Sequence, residues 1–122
     1  MPDNPNTSFL IGIDLGTSSV KAVLIDQLGK MLDWTDKEYG ISSPYPDWAE
    51  QDPEIWVDAT IEVVRQLLQK SKIDVKRVVG IGLAGQMHGL VCIDGTGKIL
   101  RPAIIWADRR SQVQLNQLQQ QI

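Results

Sequence analysis

Three short stretches of this chain carry side chains whose types and spacing can do chemistry. The first is GIDLGTSSVK, residues 12–21. Asp14 closes an apolar run, so its carboxylate would face a loop where Mg²⁺ or a metal-bound water can sit. Gly16 allows a tight turn, and Thr17 and Ser18 set two hydroxyls beside backbone N–H groups. Such a concave row of donors suits phosphate oxygens. An Asp-Gly hairpin turn with no ligand would look much the same in isolation; the strands on either side and the hydroxyl pair favour phosphate. Lys21, further on, can point to either face.

The second stretch is GQMHG, residues 85–89. Gln86 and His88 both donate and accept hydrogen bonds, as a polyol or sugar demands. A lone histidine is more often structural, and no second histidine or cysteine lies at zinc spacing. The third is AIIWADRRS, residues 103–111. Trp106 can stack on the carbon skeleton of a sugar, and Asp108 and Arg109 can bind hydroxyls. Taken alone, Asp108 reads better as the cap of a following helix.

A fourth pattern misleads. Gly80, Gly82 and Gly85 satisfy G-x-G-x-x-G, but the dinucleotide fingerprint needs a helix that starts among the glycines. Here Gln86, Met87, His88 and a β-like run follow, so the glycines serve a strand that another element approaches closely. No G-x-x-x-x-G-K-[ST] occurs, which excludes a P-loop.

The elements that must position these residues follow from periodicity. Residues 9–14 and 19–26 read as buried strands, and 31–39 as a more polar strand at a sheet edge. Short turns join them, which predicts an antiparallel meander. Residues 42–51, with two prolines, are a loop. Asp52-Pro53 is a helix-start signal, and Trp56, Thr60, Val63, Val64, Leu67 and Leu68 recur at helical spacing up to about residue 70. That helix is long enough to return the chain for a parallel fourth strand at 76–84. Residues 90–94 and 99–106 flank a Gly95–Gly97 turn as a hairpin. Residues 109–122 form a weak last helix with Leu115, Leu118 and Ile122 on one side.

Composition bounds the partners. At 122 residues the chain is one domain at most, and 43% hydrophobic and 22% charged residues are ordinary for a globular protein. A net charge of −3 gives no reason to expect nucleic acid or an anionic membrane. The single cysteine, Cys92, excludes an internal disulfide and reads as a buried, reduced thiol. Residues 1–8 are a polar, disordered tail without the features of a signal peptide, and no apolar run is long enough for a membrane span. A cytoplasmic address is the default.

Taken in order, GIDLGTSSVKAVLID, WAEQDPEIW, GIGLAGQMHGLVCID and LRPAIIWADRRS resemble the N-terminal stretch of the FGGY family of carbohydrate kinases. The resemblance runs from Ile11 to Ser111, and within the family it is most like xylulokinase. It implies a ribonuclease-H-like, actin-type α/β fold with a mixed sheet, residues 9–122 forming the first part of the N-terminal domain. It implies ATP and Mg²⁺ as cofactors and a ketopentose such as D-xylulose as substrate. Asp14, Gly16, Thr17 and Ser18 would face the phosphates, with Asp14 at the metal. Gln86, Met87, His88, Trp106 and Asp108 would line the sugar pocket. The family's catalytic base is an aspartate well downstream and its adenine site lies in a second domain, so the isolated chain is expected to be inactive. Gluconate is the alternative substrate, because gluconate kinases keep the Met-His pair; glycerol kinases have Arg-Glu there. A module that binds sugar without turnover, or an actin-like ATPase fragment unrelated to sugars, are further alternatives. A fifth strand is missing from the pattern, so the fourth strand would keep an open edge and the chain would self-associate.

Overall fold

The computed structural model describes residues 6–122. Its elements are β1 (Phe9–Leu15), β2 (Ser19–Asp26), β3 (Met31–Glu38), β4 (Glu50–Gln51), α1 (Pro53–Ser71), β5 (Val78–Gly85), β6 (Ala103–Ile104) and α2 (Gln112–Gln119). The chain divides into two compact units. The first holds the residues up to Tyr39 with Glu54–Gln86, the second Gly40–Pro53 with Met87–Ile122.

The first unit is a four-stranded sheet in the order β3-β2-β1-β5. β1 pairs antiparallel with β2, and β2 with β3. β5 runs parallel to β1, a connection that requires a crossover element, here α1. This is the expected mixed sheet, with β3 at one edge and β5 at the other. Period-2 alternation turns Phe9, Ile11 and Ile13 to the same face as Val20, Ala22 and Leu24. Against that face α1 sets Ala59, Val63 and Leu67, one per turn, and all nine side chains are buried. Fully burying a Leu or Phe contributes about 1.5–3 kcal/mol each. Polar ties fix the helix over β3: the Thr35 hydroxyl donates to the Val63 carbonyl at 2.8 Å, Lys70 pairs with Asp33 at 2.6 Å, and Lys37 pairs with Glu62. Lys70, at the end of the helix, thus has a structural role.

The glycines of β5 have ordinary duties. A Cβ on Gly80 would stand 3.0 Å from the Leu10 side chain, and one on Gly85 would stand 3.2 Å from the Leu15 carbonyl oxygen. No helix starts among them, so the dinucleotide pattern is only a pattern. On the same face as Ile11 and Ile13, β5 carries Ile81 and Leu83, which are exposed. Lys76 and Arg77, expected to begin this strand, instead form a 3-10 turn over Val75–Arg77 that Asp74 caps.

The second unit departs further from expectation. The loop at 42–51 ends in β4, which pairs antiparallel with β6, and Ser42 bridges to Glu50. The hairpin expected over 90–94 and 99–106 is reduced to isolated bridges, Ile93 with Ile99 and Leu90 with Ile104. Those two pairs belong to registers two residues apart, so the ladder slips between them, where Pro102 has no N–H to give. Cys92 is half-buried, not buried, and Leu90, Val91 and Ile93 beside it are exposed. The last helix is shorter than expected. It begins after Ser111, without a side-chain cap, and Leu115, Leu118 and Ile122 are exposed. Asp108 does not cap it.

Of the tail expected over residues 1–8, residues 1–5 lie outside the described residues. Thr7 accepts a hydrogen bond from the Arg77 side chain, and the Ser8 N–H donates to Gln27. Among the described residues no helix is long and apolar enough to cross a membrane.

Candidate functional site

In the first unit the β1–β2 hairpin turns at Gly16–Ser19. The Gly16 N–H donates to the Ser19 carbonyl at 2.9 Å, and a Cβ on Gly16 would meet that oxygen at 3.0 Å. Glycine is therefore required by close approach. Asp14 is exposed one residue before β1 ends, directly across from Lys21 in the pairing register. The two side chains share the face away from α1, which settles the direction of Lys21; its ammonium lies 5.4 Å from the centre of the Trp34 ring.

Gln86 is brought to this turn. Its N–H donates to the Leu15 carbonyl at 2.9 Å, extending the β1–β5 ladder one residue beyond the strand. Asp14, Gly16, Thr17, Ser18 and Gln86 thus gather at the carboxyl ends of two parallel strands, where ligands collect in open α/β sheets. A residue that sequence reasoning missed also belongs here. Tyr39, just past β3, donates its hydroxyl to the Gly16 carbonyl and lies 3.1 Å from the Ser19 carbonyl. Burial, with the negative charge of Asp14 added, pushes this phenol above its ordinary range. It stays protonated and a donor at neutral pH.

Mg²⁺ takes one or two carboxylates and completes its shell with water and substrate phosphates. An exposed Asp14 beside the turn fits that pattern. Among the described residues no group of three or more His, Cys, Asp or Glu side chains is placed to hold a metal by protein ligands alone. A cavity of about 640 Å³ opens elsewhere in the first unit, lined by Thr7, Asp26, Lys30, Asp33, Lys70 and Lys72 among others. None of the expected site residues lines it.

In the second unit the Leu90–Ile104 bridge lays the stretch carrying Met87 and His88 alongside the strand end that leads to Trp106. Met87, His88 and Trp106 are all exposed. His88 holds φ at 63°, a left-handed conformation that costs a residue with a Cβ roughly 1–2 kcal/mol.

Asp108 differs from these three. Its side chain is 4% exposed. One carboxylate oxygen accepts from the Ala49 N–H at 2.7 Å, and both accept from Arg110 at 2.6–2.9 Å. The Arg110 guanidinium in turn reaches Glu50 at 2.8 Å and stacks 3.6 Å from the centre of the Trp48 ring. Arg101 completes the knot at 2.7 Å from Glu50. Arg110, followed by the Ala49 and Arg110 amides, holds the Asp108 carboxyl far below the usual carboxylate range. Glu50 and Trp48 gave no local sequence signal, because Arg101 and Arg110, which they meet, lie some fifty to sixty residues away.

Comparison with known proteins follows the same outline. Residues 9–122 match the FGGY family of carbohydrate kinases, N-terminal domain. The xylulose kinase of Bacillus subtilis is 45% identical over 103 residues, 84% of this chain and 21% of that protein. Among solved structures, a ligand-bound xylulose kinase from Lactobacillus acidophilus superposes with a TM-score of 0.87 at 31% identity, covering 93% of this chain and 23% of that one. A gluconate kinase from the same organism gives 0.88 at 30% identity, covering 95% and 23%. The chain spans about a fifth of the length of the curated relatives it matches.

Proposed function

The chain belongs to the FGGY family of carbohydrate kinases, and from that premise we propose that it supplies one wall of the active site of an ATP-dependent kinase for a ketopentose such as D-xylulose. The observation that carries this reading is the convergence of the Asp14–Ser18 turn and Gln86 at the carboxyl ends of β1 and β5. Phosphoryl transfer is mainly positioning and charge stabilisation, and a turn of donors beside a residue able to bind a sugar hydroxyl serves both. Thr17 and Ser18 would contact the phosphates. Asp14 would hold Mg²⁺, which when bound neutralises charge on the triphosphate. The resemblance assigns Gln86 of the first unit, and Met87, His88 and Trp106 of the second, to the sugar. With its oxygens committed to Ala49 and Arg110, Asp108 enters by fixing the segment that follows Trp106.

The fold is equally close to xylulose and gluconate kinases, so shape does not choose between them. The 45% identity to the Bacillus subtilis xylulose kinase, together with the GQMHG and LRPAIIW stretches, supports the ketopentose. A chimera in which this chain replaces the matching segment of the Bacillus subtilis enzyme tests the assignment. It should phosphorylate xylulose with a higher kcat/KM than gluconate; the reverse preference would overturn the substrate. The chain alone is proposed to show no turnover in a coupled assay with ATP, Mg²⁺ and xylulose, since the resemblance assigns the base to sequence outside these residues. A rate near 1 s⁻¹, ordinary for an enzyme, would overturn that.

A cytoplasmic address belongs to the same reading, as does self-association of the isolated chain. β5 is an outer strand of the sheet, with Val79, Ile81 and Leu83 exposed, and such an edge is a template for another chain. Light scattering after size exclusion should give a mass above that of one chain; a monodisperse monomer at high concentration would refute the association.

A further inference from the structure

We propose that Tyr39 is a positioning residue for phosphate recognition: it holds the carbonyl oxygens of the Gly16–Ser19 turn inward, so that the turn offers donors to a polyphosphate. The proposal rests on the phosphate reading above and goes beyond it, since no motif in the sequence points to this residue.

Three of the four carbonyls in the turn meet Tyr39. Its hydroxyl donates to Gly16 O and lies 3.1 Å from Ser19 O, and its N–H donates to Ser18 O at 2.9 Å. The ring packs, partly buried, on the apolar core of the first unit, so the hydroxyl is delivered from a fixed base and not from a mobile arm. Carbonyl oxygens carry partial negative charge and would repel a phosphate. In a trans peptide the C=O and the following N–H point in opposite directions. Turning the Gly16 carbonyl toward Tyr39 therefore aims the Thr17 N–H away from it, to the outer side of the turn. The Gly16 N–H to Ser19 bond narrows the turn, and the phenol sits where the two converging carbonyls would otherwise face an apolar ring. Phenylalanine would fill the same space and remove the hydroxyl from both oxygens, leaving Ser19 O with the Gly16 N–H and taking the phenol from Gly16 O.

The experiment uses the ¹⁵N-labelled chain and its Tyr39→Phe variant. Amide hydrogen exchange is read at Gly16, α1 and the β1–β2 ladder, and inorganic tripolyphosphate with Mg²⁺ is titrated against the Thr17 and Ser18 amides. Tyr39→Phe should speed exchange at Gly16 by about tenfold and weaken tripolyphosphate binding by about fivefold to tenfold, with α1 and the ladder unchanged within about twofold. A residue that only packs would instead move α1, the ladder and Gly16 together, or none of them, and either result overturns the proposal. Faster exchange at Gly16 in a chain that binds no tripolyphosphate keeps the hold of Tyr39 on the turn and overturns the phosphate reading. Should Tyr39→Phe fail to fold, the hydroxyl proton of Tyr39 in the unaltered chain decides. Slow exchange with a cross-peak to Ser19 supports the proposal, and exchange at the bulk rate removes it.

Discussion

The first unit closes nine apolar side chains from β1, β2 and α1 against one another, while the second buries the aliphatic side chains of Ala49, Ala103 and Ile105 and fastens itself through Asp108, Arg110, Glu50 and Arg101. Apolar burial is non-directional and roughly proportional to area, so the first unit's stability is spread over many contacts. A buried ion network concentrates its effect: removing one member leaves charges without partners in a desolvated place. The same chain therefore holds one region fastened by apolar packing and one fastened by a few charged side chains.

The largest expected effect breaks the first side of this comparison. Leu67→Ala removes a fully buried side chain from the α1 contact and should cost about 3–4 kcal/mol, read from urea unfolding followed by helical circular dichroism. A loss under about 1 kcal/mol would mean that α1 is held mainly by its polar ties. Next comes the second side. Asp108→Asn should cost the second unit about 3 kcal/mol, seen as faster amide exchange at Ala49 and Ile104 with the β1–β2 amides unchanged. Equal loosening of both sets would show that the two units melt as one, and the contrast would fall.

Acid sharpens the comparison less sharply. The folded pKa of Asp108 is depressed, so its contribution is complete above the ordinary carboxylate value of about 3.9 and is lost as pH falls through the folded value. Between pH 5 and 2 the Ala49 and Ile104 amides should lose protection before those of β1 and β2. Lys70 also depresses Asp33 in the first unit, but that pair is open to solvent and screened. Earlier loss from the first unit would reverse the assignment. Smallest is Thr35→Val, which removes a 2.8 Å hydrogen bond to α1 and should cost about 0.5–1 kcal/mol; a midpoint shift as large as that of Leu67→Ala would contradict the apolar account of the first unit.

The same contrast explains what could be read from the sequence. In the first unit the cues are local: the continuous apolar run at 9–14, the strand pattern at 19–26, helical spacing from Val63 to Leu67, and proline at the start of α1. β1, β2 and β3 formed as expected because neighbours in sequence are neighbours in the fold, and the turn at Asp14–Ser18 was legible for that reason. The parallel placement of β5, whose partner β1 lies some seventy residues back, was legible from the length of the crossover helix. Tyr39 was not, because it ends a polar strand and nothing nearby says that its hydroxyl reaches back some twenty residues. In the second unit the apolar run at 90–93 looked like a buried strand, yet a run of four says nothing of what covers it. Asp108 was read as a cap from its place before a helix. It binds Arg110 two residues on, and its second partner, the Ala49 amide, lies 59 residues away, beyond any window in which periodicity or capping rules operate.

That separation has a consequence in time. Chains emerge from the ribosome at roughly 5–20 residues per second, so Ala49 waits about 3–12 s before Asp108 has even been made. During that interval Gly40–Pro53 has none of the bonds that later hold β4 to β6. β1, β2 and β3 by contrast need only a few residues of turn between them and can pair as they appear. The nascent chain therefore carries an early, orderly hairpin sheet beside a segment that stays open until translation has passed Arg110. Slowing synthesis between residues 53 and 110 would lengthen the exposure of that segment without touching a single contact of the finished fold.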